Sequence, residues 1–307
     1  MNDLNNKIQE LKNLIKENGI EAGDEFTILE EKIRSQSKSE TVWRQVELAR
    51  HPERPYSMDY ISRIFDNFIE LHGDRYFGDD PAIVGGVAFL DSRPVTIIAN
   101  QKGRTLKENV WRNHGMANPE GYRKALRLAK DAEKFKRPVI TFIDTSGAYP
   151  GLGAEERGIG EAIAKNLREF SQLLTPVICI IIGEGGSGGA LGLGVGDKVY
   201  MLENAIYSVI SPEGCASILL RDASKAKDAA AMLRITSKDL LEFKVINGVI
   251  PEPPGGAHTD PDAAAKIIKD VLVKDLNDIC SRTPEVLVRY RNQKIRTIGH
   301  WNEAISE

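Results

Sequence analysis

The stretch from Ile182 to Leu191, "IGEGGSGGAL", fits three chemistries. Its G-E-G-G-S-G matches the dinucleotide fingerprint G-x-G-x-x-G, and its G-G-S-G-G matches the hydrolase elbow G-x-S-x-G. A dinucleotide site needs the turn to open the first βα unit, with an acid about 20 residues on. Here a βαβ pattern already precedes it, and the next acid, Glu203, follows a second short strand. A serine hydrolase would use Ser187 as nucleophile, followed by Asp222 or Asp239 and then His258 or His300. His258 lies in "PEPPGGAHTDP", where nothing evident holds an imidazole against Ser187. The third chemistry needs no side chain. Gly188 and Gly189 would open a helix whose unpaired N–H groups form an oxyanion site, with no Cβ to block a close approach.

A companion turn strengthens that third chemistry. In "IDTSGAYPGLGAEERG" (Ile143 to Gly158) a buried strand again runs into glycines and then a helix. Adjacent parallel strands place such turns at one sheet edge. Gly147 and Ala148 would then face Gly188 and Gly189 across a small ligand. Gly188, Gly192 and Gly196, four apart, would line one face of the following helix and bring it close to its neighbour. Glu155, Glu156 and Arg157 also read as the charged first turn of the helix that follows.

The elements that must position these turns follow from periodicity. Leu4, Ile8, Leu11 and Ile15 predict a short helix over 3–18 with a narrow apolar seam, and 25–35 and 42–50 continue a helical arm. "HPERPYS" marks its boundary. "MDYISRIFDNFIELHG" reads as a helix, and Val84 to Leu90 with Val95 to Ala99 as a hairpin turning at residues 91–94. A helix over Asn118 to Arg137 leads to the strand Pro138 to Asp144, and a long helix over Glu155 to Leu174 leads to the strand Thr175 to Gly183. Lys198 to Leu202 and Ala205 to Ile210 read as short strands, and Ser211 with Pro212 starts another helix. Helices from Asp260 to about Ile279 and over "PEVLVRYRNQKIRTIG" close the chain, the last with Arg and Lys on its exposed side. Two strands per helix, about three times over, argue for a stacked ββα spiral. The domains expected are a helical arm, 1–57, a core, 58–258, and C-terminal helices continuous with it, 259–307.

With 41% hydrophobic and 28% charged residues the chain can bury a substantial core, and a net charge of −3 lacks the basic excess of a nucleic-acid binder. Cys179, Cys215 and Cys280 lie far apart with no C-x-x-C, so no metal site is expected in this chain. No stretch approaches the roughly 20 apolar residues of a membrane span. A cytoplasmic protein is the expectation.

Seven ordered blocks, "RPYSMDYI", "FIELHGDRYFGDDPAIVGG", "QKGRTLKENVWRNHGMANPEGYRKALRLA", "IDTSGAYPGLGAEERG", "EAIAKNLREFS", "GEGGSGGALGLGVGDKVYML" and "YSVISPEGCASIL", are similar to the alpha subunits of bacterial-type acetyl-coenzyme A carboxylase carboxyltransferases. The likeness runs from about Trp43 to about Ile250. It implies an α/β, crotonase-like (ClpP/crotonase) ββα superhelix with an N-terminal helical arm and C-terminal helices. It also implies transfer of a carboxyl group from carboxybiotin to acetyl-CoA, giving malonyl-CoA for fatty acid biosynthesis. The partners implied are a zinc-ribbon carboxyltransferase beta subunit that binds the thioester, a biotin carboxyl carrier protein and biotin carboxylase, in a heterotetramer of two alpha and two beta chains.

Carried over, the amides of Gly188 and Gly189 would hold the ureido oxygen of biotin, with Gly147 and Ala148 as the other wall. Biotin's own nitrogen would take the proton from the acetyl methyl group. Lys102, Arg104 and Arg123, with Arg112 and Arg127, are candidates for anionic substrate groups or a subunit interface. Asn100 stands where family members commonly carry histidine, and Ser146 where they carry proline. A serine hydrolase using Ser187 is the alternative.

Overall fold

The computed structural model describes residues 24–299, with side chains from residue 36 onward. The helix expected over 3–18, the side chains of 25–35 and His300 lie outside the described residues. Two compact units divide the chain: one joins the chain up to Arg44 with Pro212–Leu233, and the other comprises Gln45–Ser211 with the chain from Arg234 onward.

The larger unit is built on an eight-stranded mixed sheet. Helix α1 (Asp24–Ala49) ends inside this unit, and α2 (Ser57–Ile64) lies over the sheet with Tyr60, Ile61 and Ile64 buried. The run after Ile64 was expected to stay helical. Instead Phe65 turns extended and β1 (Asp66–Glu70) forms the sheet edge, with Asn67 at φ 53. Edge strands bury little, so their alternation is weak and the helical spacing of Ile64, Phe68 and Ile69 misleads.

The hairpin β2 (Ile83–Leu90) and β3 (Arg93–Asn100) forms as expected, tightened to a two-residue turn by Asp91 at φ 53. After α3 (Leu106–Trp111) and α4 (Pro119–Lys134) comes β4 (Val139–Thr145), every residue of which is buried. The long helix expected next is broken into α5 (Leu152–Glu156) and α6 (Ile159–Gln172), because Gly158 adopts φ 79 between them. Strand β5 (Val177–Gly186) is nearly all buried and runs into the short helix α7 (Ser187–Leu191).

From β3 onward the pairings are parallel: β3 with β4, β4 with β5, and β5 with β6 (Lys198–Leu202). Strand β7 (Ile206–Ser208) pairs with the far end of β5, Glu184 to Gly186. β6 and β7 were counted as one of the hairpins of the spiral. Each pairs with β5 in parallel instead, so one long strand serves two neighbours along its length. After α8 (Pro212–Cys215) and the wide turns of Ala216–Leu220, α9 (Ala226–Leu233) completes the smaller unit, which leaves Ile218, Leu219 and Met232 exposed. Helix α10 (Ser237–Glu242), β8 (Gly248–Ile250) paired with β6, α11 (Pro261–Ile279) and α12 (Pro284–Arg296) finish the larger one. Arg291, expected on an exposed face of α12, is buried, with Nη2 2.7 Å from Asp197 and further bonds to the carbonyls of Phe170, Leu173 and Thr175.

Candidate functional site

The ends of β4 and β5 are neighbours, and the two glycine turns leave them side by side, with Thr145 opposite Gly185. Their main chains touch. A Cβ on Gly186 would lie 2.0 Å from the carbonyl oxygen of Ser146, and one on Gly189 would lie 2.3 Å from the carbonyl carbon of Gly147 and 2.5 Å from the nitrogen of Ala148. No side chain fits at either position, so glycine is required by contact between two backbones.

Gly188 differs, because a Cβ there would meet nothing closer than Ile163 Cδ1 of α6 at 3.6 Å. Gly188 and Gly189 are the second and third residues of α7, so their N–H groups have no intrahelical carbonyl to bond. The expected single face of Gly188, Gly192 and Gly196 is not helical. Gly192 closes α7 through its N–H on the Gly188 carbonyl, and Gly196 packs beyond it against Cys179. The opposite turn is set by Thr145, whose hydroxyl donates to the Gly147 carbonyl at 2.7 Å and accepts the Gly147 N–H at 3.2 Å. Beside α7, an apolar groove of about 240 Å³ is lined by Ser187, Leu191, Tyr207, Val209, Leu240 and Val245.

Behind the turns lies a charged network that sequence reasoning missed. Between Ile143 and Thr145 the β4–β5 register shifts, and there Asp144 Oδ1 accepts the Glu184 N–H at 2.9 Å. The same oxygen holds Lys102 Nζ at 2.6 Å, and Arg50 Nη2 holds Glu184 Oε1 at 2.7 Å. Burial works against the Lys102 charge, but Asp144 and Glu184 outweigh it and keep its pKa above the ordinary lysine value. The signal available was Asp144 itself, an acid ending a run of buried apolar residues.

The other basic candidates are placed differently. Arg104 is exposed and held by Asp59, the Pro52 carbonyl and the ring of Tyr56 at 3.8 Å. Arg112 bonds Glu108 and the Pro81 carbonyl. Arg123 pairs with Asp74 at 2.8 Å and lines a second cleft together with Arg127. The structure therefore brings together Gly147, Ala148, Gly188 and Gly189, and sets Lys102 behind them on Asp144. Asn100 is fully buried with its side-chain amide unpaired, while Ser146 is exposed.

Among the described residues nothing completes a triad on Ser187. His258 stacks on His51 with ring centroids 3.8 Å apart, Asp239 is engaged by Thr236 and Arg234, and Asp222 by Ser224. Ser187 itself sits at φ 49, and no histidine bonds it among the described residues.

A family model described as acetyl co-enzyme A carboxylase carboxyltransferase-like matches residues 1–299. The chain is 66% identical over 301 residues to an acetyl-coenzyme A carboxylase carboxyl transferase subunit alpha of Treponema denticola, covering 98% of this chain and 99% of that protein. It is 52% identical to the protein of the same name from Halalkalibacterium halodurans, over 99% of this chain and 96% of that protein. Among solved structures it is similar to transcarboxylase 12S (TM-score 0.54, 22% identity, 68% of this chain and 40% of that one). It is also similar to a chain of a Pseudomonas malonate decarboxylase hetero-tetramer (TM-score 0.58, 18% identity, 72% and 90%). At such identities these likenesses carry the fold alone, which is α/β and crotonase-like as expected. No comparison supports the hydrolase alternative.

Proposed function

Because this chain belongs to the acetyl-coenzyme A carboxylase carboxyltransferase alpha family, we propose that it acts with a zinc-ribbon beta subunit to move a carboxyl group from carboxybiotin to acetyl-CoA. The product is malonyl-CoA, for fatty acid biosynthesis. The activity class, a carboxyltransferase, follows from the family; the remaining assignments are our reading. They comprise a cytoplasmic heterotetramer of two alpha and two beta chains served by a biotin carboxyl carrier protein and biotin carboxylase.

One observation carries the site: two glycine turns meet main chain to main chain at Gly147 and Gly189, with no room for a Cβ on Gly189, and this sets the N–H groups at the start of α7 beside the opposite turn. Bound there, biotin would supply an activated carboxyl group. The protein's contribution is electrostatic. The N–H groups of Gly188 and Gly189 are fixed at the start of α7 and donate to an oxygen that gains negative charge, without reorganising as the reaction proceeds. The apolar groove beginning at Ser187 and Leu191 suits the hydrocarbon part of the same group and keeps water from its polar end. Lys102 and Asp144 act as positioning residues, holding the end of β5 at the register shift from which the glycine turn departs. No general acid or base of this chain enters.

The test is to combine the chain with a beta subunit and measure malonyl-CoA-dependent carboxylation of biotin. Activity is expected of the complex and not of the chain alone. A well-formed but inactive complex would overturn the reading.

A further inference from the structure

A second cleft, of about 570 Å³, is lined by α4, α6 and the loop 72–79. Arg75, Arg123, Arg127, Arg157 and Lys165 border it, against the carboxylates of Asp74 and Glu161. Two of these cations are neutralised locally: Arg123 Nε lies 2.8 Å from Asp74, and Arg157 Nη2 lies 2.9 Å from Glu120. The others are not. Arg75 Nη1 donates to the His72 carbonyl at 2.7 Å, and Arg127 donates to the carbonyls of Gly73 at 3.1 Å and His72 at 3.4 Å, with Asp131 only at 3.4 Å. Carbonyls orient a guanidinium without cancelling its charge. Lys165 is exposed and makes no ion pair among the described residues.

The cluster is built rather than accidental. Asp74 Oδ1 accepts the N–H groups of Tyr76, Phe77 and Gly78 at 2.8–2.9 Å, and Arg75 is held at φ 65 between them. Such a conformation in a non-glycine residue persists only where its surroundings impose it. Burial and the facing Arg75 both work against the charge of Arg127, and Asp131 and Asp79 offset them only in part.

We propose that this cleft binds a phosphate-type dianion, gripped by Arg75, Arg127 and Lys165. The three cations arrive from three elements, the loop, α4 and α6. They suit a tetrahedral group that presents oxygens in several directions better than a planar carboxylate. The site is separate from the glycine turns, although α6 borders both.

Calorimetric titration of the full-length chain with inorganic phosphate, at low ionic strength and mildly alkaline pH where it is a dianion, tests this directly and needs no carboxyltransferase activity. One saturable site per chain is expected. Arg75→Ala combined with Lys165→Ala should weaken binding at least about tenfold, since two charge-assisted contacts are lost. Both side chains are exposed, so the melting temperature without ligand should not move. Glu161→Gln, which removes a facing negative charge, should tighten binding. Absence of a saturable site, or a double variant that binds as the wild type does, would overturn the proposal.

Discussion

Gly189 and Gly147 lie so close that a single methyl group on Gly189 would stand 2.3 Å from the Gly147 carbonyl carbon. Gly188, one residue earlier, has room for that methyl group beside Ile163. Gly189→Ala should therefore force the two turns apart, at about 1–3 kcal/mol of stability, and lower carboxyl transfer by about 100- to 1,000-fold, the scale of one lost oxyanion donor. Gly188→Ala keeps its N–H and should remain within about threefold of wild-type turnover, under about 0.7 kcal/mol. Melting curves and the biotin carboxylation assay on the assembled enzyme check both. Wild-type turnover from a folded Gly189→Ala enzyme would remove the site assignment.

Ser187 has the position of a nucleophile and none of its support. Ser187→Ala should leave carboxyl transfer within about threefold, and a serine-directed phosphonate should not label the wild-type chain. Ser187→Gly should be neutral or slightly stabilising, since glycine accepts φ 49 without the strain of about 1 kcal/mol that a Cβ brings there. Stoichiometric labelling lost in Ser187→Ala would contradict this.

Lys102 is tied to Asp144, and this separates a supporting role from a substrate contact. Lys102→Met leaves the carboxylate of Asp144 buried without its cation, which should cost about 3–5 kcal/mol by denaturant unfolding. A lysine that only met substrate would instead raise KM and leave the unfolding curve in place.

Asp80 gives the fold a dependence on pH. Burial raises its pKa to about 6, against the opposing hydrogen bonds from the N–H groups of Ala82 and Asn118. The unfolded value is about 3.9. Between the two the folded state binds the extra proton, so this group's contribution to stability falls as pH rises from about 4 to 6, by up to about 3 kcal/mol. Carbon-13 detection of the Asp80 carboxyl should show a midpoint near 6 in the folded chain. A midpoint near that of a free aspartate would refute it.

Much of this molecule was legible in its residues, and the exceptions share a cause. The buried strands around Ile140 and Ile180 and the meeting of the two glycine turns follow from apolar runs ending in glycine. What escaped depends on partners distant in sequence. Lys102 finds Asp144 42 residues away, and Arg291 finds Asp197 94 residues away. No periodicity encodes such pairs, so a buried arginine in α12 looks like a surface one. Strand β1 escaped for the opposite reason, since an edge strand half open to water has little apolar pattern to show.

The two turns that meet at Gly147 and Gly189 present peptide groups, and this bears on how the protein can change. A compound that gripped those N–H groups would contact atoms that every residue but proline carries, so no substitution other than proline deletes its anchor. Substitution at Gly186 or Gly189 would also collide with the opposite turn. Escape from such an inhibitor would be confined to the flanking groove, at residues such as Leu191 and Val209.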